Sequence, residues 1–313
     1  MKKYTDRQDN YLTTLAQLIK TRIIAPDEVI RCLIAAFITG GHVLLEGFPG
    51  TGKTTLAKHL ANLVGLKFKR IQFTPDLIPT DLIGYQVFDK DSQSIRFEKG
   101  PIFSNILLAD EINRAPARTQ SALLECMDEL QVTVDGFTHS LTEPYFVIAT
   151  QNPISFAGTF ELPENQLDRF ALKLPMTYLS PENEVDMIEK NTVEESDTKT
   201  NNLSPEQFKC LQTEIRSITI ERSIKLYAAN LIKATRSDAR IAIGASPRAT
   251  LTLLNCAQAF AYMENLQYVI PEQIQRLFPY VVTHRLQVGT ENFEAITAND
   301  CVTDILQTVE PPR

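Results

Sequence analysis

The chain has 313 residues, 43% of them hydrophobic, enough for one large core or two modest ones, and ordinary domain sizes favour two. Its 31 basic and 38 acidic residues leave a formal charge of -7, which opposes the unspecific phosphate attraction of a general nucleic-acid binder. Cys32, Cys126, Cys210, Cys256 and Cys301 are scattered and form no CxxC pair, which speaks against a disulfide framework or a zinc site and suits a reducing cytoplasm. The first thirty residues lack the continuous apolar stretch of a signal peptide, and no later apolar run is long enough to span a bilayer.

From residue 42 to about 174, short apolar runs alternate with amphipathic stretches, the pattern of a parallel sheet buried on both faces between crossover helices. The expected strands are residues 42–46, 68–73, 105–110, 145–150 and 170–174. The first runs directly into Gly47-Phe48-Pro49-Gly50-Thr51-Gly52-Lys53-Thr54 and then an amphipathic helix from Thr55 to Val64, so the pattern GxxxxGK[ST] stands between a strand and a helix, as a phosphate loop requires. Gly47, Gly50 and Gly52 are expected to let the backbone turn with its N–H groups inward, an anion nest at a helix N-terminus, with Pro49, Thr51 and Thr55 in the same nucleotide-binding run. Lys53 is expected to reach the β- and γ-phosphates of ATP, and the Thr54 hydroxyl to ligate Mg²⁺.

The 105–110 strand ends in two adjacent acids: Asp110 is suited to hold Mg²⁺ through water, and Glu111 to polarise an attacking water. On either side of it, Val87 and Ile95 flank the polar turn 89–94, predicting a hairpin, and Leu123, Leu124, Met127 and Leu130 recur at helical spacing. A second hairpin is predicted over 132–139, turning at Asp135-Gly136.

After Pro175 the pattern is helical only. Ser180-Pro181, Ser204-Pro205 and Ser246-Pro247 each offer a capping hydroxyl before a proline pre-set for the first helical position. Ile224, Tyr227, Ala228, Leu231 and Ile232 form one apolar stripe, and residues 191–202 read as a mobile polar surface loop. The division expected is 1–177, an α/β nucleotide-binding core with N-terminal helices and an inserted hairpin, and 178–313, a smaller all-α lid. His42, His59, His139 and His284 show no metal-ligand spacing and suit structural roles. Cys126 reads as an inert buried thiol, residues 67–70 as a solvated basic strand edge, and the apolar residues of 278–286 as core.

Taken together, GHVLLEGFPGTGKTTLAKHLA, LLADEINRAPARTQSALLECMDELQVTVDG, FVIATQNP, LPENQLDRFALKL and GASPRA resemble the MoxR family of AAA+ ATPases, in the helix-2-insert group, over about residues 28–286. The resemblance implies an AAA+ P-loop core with a parallel sheet between helices and an all-α lid. It implies that Asn152 is the sensor-one residue orienting water against the γ-phosphate, and that Arg169 is an arginine finger reaching a neighbouring subunit's ATP. By the same resemblance Arg248 is a sensor-two arginine on the lid, beside the nucleotide, and Arg114 faces the subunit boundary. Residues 80–101 match the family's inserted hairpin, which projects toward a ring's pore; a plain solvent-exposed hairpin is the alternative. A hexameric ring is implied, acting on client proteins, among them von Willebrand factor A domain proteins. Where the family carries a V-G-Q-like turn near the adenine, residues 23–28 read Ile-Ile-Ala-Pro-Asp-Glu, a departure at the base. Two competing functions stand beside protein remodelling: a DNA-directed motor or transcription activator, opposed by the acidic balance and the lack of a DNA-binding appendage, and a nucleotide-gated scaffold without turnover.

Overall fold

The computed structural model describes residues 10–90, 93–152, 159–192, 203–289 and 296–312. Two helices, α1 (Tyr11–Lys20) and α2 (Asp27–Thr39), precede β1 (Val43–Gly47), α3 (Lys53–Val64), β2 (Phe68–Gln72) and α4 (Pro79–Ile83). A hairpin of β3 (Gly84–Asp89) and β4 (Ser94–Lys99) follows, then β5 (Ile106–Asp110), α5 (Ala117–Glu129), a second hairpin of β6 (Gln131–Val134) and β7 (Phe137–Ser140), β8 (Phe146–Gln151), α6 (Glu164–Leu167) and β9 (Leu172–Met176). The remainder is α7 (Pro181–Thr192), α8 (Pro205–Arg216), α9 (Arg222–Ser237), β10 (Ile241–Ile243), α10 (Pro247–Met263), α11 (Pro271–Val282), β11 (Gln287–Val288) and α12 (Ala298–Thr308).

All five expected core strands form, within one or two residues of their expected ends, and they pair in parallel in the order β2-β5-β8-β1-β9. The apolar runs of the central strands β5, β8 and β1 are nearly unbroken because both faces are covered, whereas the edge strand β2, Phe-Lys-Arg-Ile-Gln, is largely exposed. Val43, Leu45, Ile106, Leu108, Phe146 and Ile148 face one core, while Leu44, Leu107, Ala109, Val147 and Ala149 face the other. Both predicted hairpins are present. Asp135 (φ 50°) and Gly136 (φ 85°) form the two-residue left-handed turn whose twist matches antiparallel strands, and Phe88 of β3 pairs with Ile95 of β4. Residues 91–92 of the latter turn, and 193–202 of the expected polar loop, lie outside the described residues.

Helix α2 is apolar on all sides: every residue from Val29 to Ile38 except Arg31 is buried, so it must be enclosed rather than laid on a surface. It is enclosed by the sheet on one side and the C-terminal helices on the other. Phe37 stands edge-on to Phe146 of β8 (ring centroids 5.4 Å apart) and to Phe208 of α8 (5.3 Å). One continuous core therefore runs from the sheet through α2 into the lid, including the Ile224–Ile232 stripe of α9 and Phe278, Val281 and Val282 of α11. The lid is helical but not helices only, since β10 and β11 form a short antiparallel ribbon.

Ionic contacts fix the lid's register on the core. The buried Arg285 guanidinium donates to Asp168 Oδ1 (2.7 Å), Ala171 O (3.1 Å) and Phe170 O (2.7 Å), and also to Val281 O. The Ser246 hydroxyl donates to the same Asp168 carboxylate (3.1 and 3.0 Å). Ser246 is the N-cap of α10, yet its side chain binds Asp168 instead of the helix's own N–H groups, whereas Ser204 forms the expected capping box with Gln207. Arg276 of α11 grips Glu28 of α2 with two nitrogens (2.8 and 2.9 Å) and Glu264 with a third (2.6 Å).

Three histidines are structural, as expected. His42 Nδ1 accepts from Val147 N–H (3.1 Å), which leaves Nε2 to donate to Met127 O (3.1 Å). His59 bonds Leu18 O and His284 bonds Phe170 O. Burial holds all three below the ordinary histidine range, His42 at about 4.

Two outcomes follow. The unfolded histidines take up protons near pH 6.5 that the folded ones refuse until much lower pH, so stability is full above pH 6.5 and falls toward pH 4, by on the order of 3 kcal/mol for His42 alone. Urea unfolding at pH 7.5 and pH 5.0 is expected to give a clearly lower midpoint at pH 5.0; equal midpoints would contradict the assignment. Asp168→Ala leaves Arg285 charged, buried and without its acid, at a cost of about 3–5 kcal/mol, to be read from the same transitions.

Candidate functional site

The phosphate loop turns between β1 and α3 with Gly50 and Gly52 both in the left-handed region (φ 83°), where L side chains are strained. Gly47 serves differently: it is the last residue of β1, and a Cβ there would meet Met176 O of β9 at 2.1 Å, so close strand approach and not the turn demands glycine. Thr51 Oγ1 ties the loop to itself through Phe48 O (2.9 Å). Lys53 begins α3, and its ammonium donates to Gly47 O (2.6 Å) and Phe48 O (2.8 Å), so the cation lies against the loop. Burial lowers the Lys53 ammonium, opposed by the nearby Asp110 and Glu111 charges. Thr54 and Thr55 follow in the first turn of α3, and Pro49 is exposed in the loop.

Strand order then decides which side chains meet the two acids. β5 lies between β2 and β8, so the trailing ends of those strands flank Asp110. Asp110 is buried; its Oδ1 accepts from Thr150 Oγ1 (2.6 Å) and its Oδ2 from Arg70 Nη2 (2.7 Å) and Nε (3.1 Å). Glu111 has left-handed backbone (φ 56°), and its N–H donates to the same Thr150 hydroxyl (2.8 Å). The turn re-aims its carboxylate to accept from Gln72 Nε2 (2.8 Å) and Arg114 Nη1 (3.1 Å). Asn152 follows β8 directly, on the strand between the Asp110 strand and the phosphate-loop strand. The structure thus brings Lys53, Thr54, Asp110, Glu111 and Asn152 to one end of the sheet.

Sequence reasoning missed Arg70, Gln72 and Thr150. Arg70 belongs to the basic edge expected to be solvated; it is exposed there like Lys67 and Lys69, and its guanidinium also reaches Asp110. The signal was positional: Gln72 pairs with Asp110 in register and Thr150 lies one residue beyond the Ala109–Ala149 pair, both evident once strand order is known.

The oxygen donors suit Mg²⁺. Thr54 is next to Lys53, whose ammonium feels Asp110, and hydroxyl and carboxylate are the hard ligands this ion takes together with phosphate oxygens. Among the described residues no group of three or more His, Cys, Asp or Glu could hold a metal ion.

Arg169 and Arg248 lie elsewhere. The resemblance puts Arg169 at a neighbouring subunit's ATP and Arg248 beside the nucleotide; both stand at the leading end of the strands, opposite their own phosphate loop. Arg169 precedes β9, and its Nη1 donates to Leu124 O (3.1 Å) and to Asp128 Oδ2. Arg248, in the first turn of α10, donates to Asp128 Oδ1 (2.6 Å). With residues 39–42 just before β1 they line a cleft of about 340 Å³. A five-residue strand separates this level from Gly47, about 15 Å at 3.3 Å per residue. Cys126, beside this cleft on α5, is buried and its thiol is pushed up to about 12, so it is inert as expected.

Comparison with known proteins agrees with this geometry. Residues 42–172 match the model of the ATPase family associated with various cellular activities (AAA), and residues 233–305 match the AAA lid domain. The chain is 38% identical to Chaperone MoxR1 of Mycobacterium tuberculosis, over 94% of this chain and 81% of that protein. It is 44% identical to the uncharacterised protein YeaC of Bacillus subtilis, over 89% and 88% of the two chains, and 29% identical to Protein MoxR of Methylorubrum extorquens, over 94% and 93%. A solved crystal structure from Cytophaga hutchinsonii, provisionally assigned as an ATPase, superimposes with a TM-score of 0.87 at 37% identity, covering 97% of this chain and 96% of that one. A phosphate loop at the trailing strand ends, two acids at the same end of β5, one strand away across β8, and a helical lid, with relatives of this similarity along nearly the whole length, establish that the chain belongs to the MoxR family of AAA+ ATPases.

Proposed function

We propose that the chain hydrolyses ATP with Mg²⁺ in a ring of like subunits, a hexamer, with each nucleotide held between two copies, and uses the cycle to remodel or mature partner proteins. The observation that carries this is the separation of Arg169 and Arg248 from their own phosphate loop. Two arginines on the far end of the strands are useless to their own nucleotide, and they suit that of a second copy docked against that end.

Within one subunit, the loop N–H groups of residues 50–54 and the Lys53 ammonium bind the polyphosphate. Thr54 and Asp110 would hold Mg²⁺, which would supply positive charge against that of the phosphates. Glu111 takes the proton of the attacking water, and Asn152 orients that water toward the terminal phosphate. Gln72 and Arg114 both bond Glu111 Oε2, which leaves Oε1 to accept from the water. Arg169 and Arg248 of the adjacent copy meet the charge that develops on the transferred group.

The remodelling role rests on the relative named a chaperone in Mycobacterium tuberculosis and on the family resemblance, which includes von Willebrand factor A domain clients. The β3–β4 hairpin exposes Tyr85, Phe88 and Ile95, apolar groups that suit contact with an unfolded segment. No helix among the described residues is long and apolar enough to cross a membrane, and all five cysteines are free thiols, which suits work in the cytoplasm.

The test is phosphate release against protein concentration, with particle size followed in parallel. Specific activity is expected to rise as rings form, and Arg169→Ala is expected to assemble yet lose about a thousandfold or more in turnover. Lys53→Ala is expected to lose nucleotide binding. Glu111→Gln is expected to keep binding while turnover drops about a hundredfold or more. Activity independent of concentration, with Arg169→Ala normal, would sink the shared-site mechanism.

A further inference from the structure

Arg169 and Arg248 come from different layers of the fold, one from the turn before β9 and one from the first turn of α10. Two guanidiniums repel one another, and nothing in their own elements brings them together. What does so is one carboxylate: Asp128 Oδ1 accepts from Arg248 (2.6 Å) and Oδ2 accepts from Arg169. Each oxygen serves one arginine, so removing the carboxylate breaks the link between them and leaves the Arg169 guanidinium only its bond to Leu124 O.

Asp128 is itself fixed independently of the arginines. It lies in the last turn of α5, and the preceding carbonyl, that of Met127, accepts from the buried His42 ring (3.1 Å). The α5 end is therefore pinned to the sheet. On the other side, the Asp168 carboxylate bonded to Ser246 and Arg285 sets the backbone next to each arginine, since Asp168 adjoins Arg169 and Ser246 lies two residues before Arg248. Both arginine side chains remain partly open to solvent, 33% and 49% exposed, so what Asp128 restrains is two long arms that would otherwise sample many rotamers.

We propose that Asp128 is a positioning residue for the reaction: it holds Arg169 and Arg248 as one preformed, net-positive pair for the terminal phosphate of a second copy's nucleotide. The proposal rests on the shared-site mechanism proposed above. In this role Asp128 acts through the arginines and not on the reacting atoms; only the order of the two arginines is at stake. A phosphate arriving at the pair takes up guanidinium donors that are already aimed, and the loss of that aim appears in turnover and not in nucleotide affinity.

The experiment uses the full chain. Asp128→Ala is expected to bind a fluorescent ATP analogue within about twofold of wild type and to form particles of the same size. Its kcat is expected to fall about ten- to a hundredfold with KM little changed, the scale of a misplaced catalytic group. Asp128→Asn, which keeps the shape and one accepting oxygen, is expected to fall between the two. The decisive reading is complementation. Asp128→Ala subunits keep their phosphate loop and Lys53→Ala subunits keep their arginines, so mixing the two inactive proteins is expected to restore phosphate release. Mixing Arg169→Ala with Lys53→Ala is the control. If the control recovers activity while the Asp128→Ala mixture stays inactive, or if Asp128→Ala alone has wild-type kcat, Asp128 does not act through the arginines and the proposal is overturned. If the control also stays inactive, the shared-site mechanism falls and takes the proposal with it.

Discussion

A parallel sheet has two chemically different ends, and five-residue strands keep them about 15 Å apart. Everything at the candidate site follows from which end a residue occupies. The trailing ends carry the phosphate loop, Asp110, Glu111, Asn152, Gln72 and Thr150, in the crevice outside the carboxyl ends of the strands where open α/β sheets bind ligands. The leading ends carry His42, Arg169 and, through the lid, Arg248 and Arg285. No side chain spans the strand length, so a residue on the leading end that acts on a nucleotide must act on that of another molecule.

The second constraint is that the lid does not ride free. α2 is buried all round because sheet and lid both close on it, and Phe37 touches an aromatic ring on each side. Asp168 with Arg285 and Ser246, and Glu28 with Arg276, add charged contacts in low-dielectric surroundings, where a missing partner costs far more than the intact pair contributes. Such pairs add little to overall stability, but they permit one register. That register is what sets α10 beside the turn carrying Arg169, so the lid's placement and the pairing of the two arginines are one fact seen at two scales.

Much of this was legible in the chain. Short apolar runs marked the central strands, glycine and lysine spacing marked the phosphate loop, and Asp135-Gly136 marked a hairpin turn because each depends on local chemistry alone. What was illegible depends on strand order or on which side the lid closes. Arg70 reads as a solvated edge cation until β2 is known to pair with β5, and Thr150 reads as a strand residue until β8 is known to lie on the other flank. Ser246 has the grammar of a cap, yet its hydroxyl is drawn to Asp168, seventy-eight positions away. Which end of the sheet Arg248 occupies is set by the packing of α10 on the core, which no local motif encodes. Gly47 was read as a turn glycine, but the approach of β9 is what excludes a side chain.

The acids of the site share one further property: each is already paired with arginine. Asp110 is held by Arg70, Glu111 by Arg114, and Asp128 by Arg169 and Arg248. A chain of net charge -7 that must accept a polyanion faces like-charge repulsion unless its nearby carboxylates are neutralised, and these pairs do that locally. Where the arginine occupies an oxygen that a cation would need, as Arg70 does on Asp110 Oδ2, engagement is an exchange, one charged contact replaced by another, so that the free-energy difference between the two arrangements is small compared with either contact alone. An equilibrium that close to balance is easily biased by a docked neighbour or a bound nucleotide. For a motor whose subunits take turns, as proposed here, that is the physical requirement: acids held firmly enough to be ordered, and by partners that another anion or cation can replace.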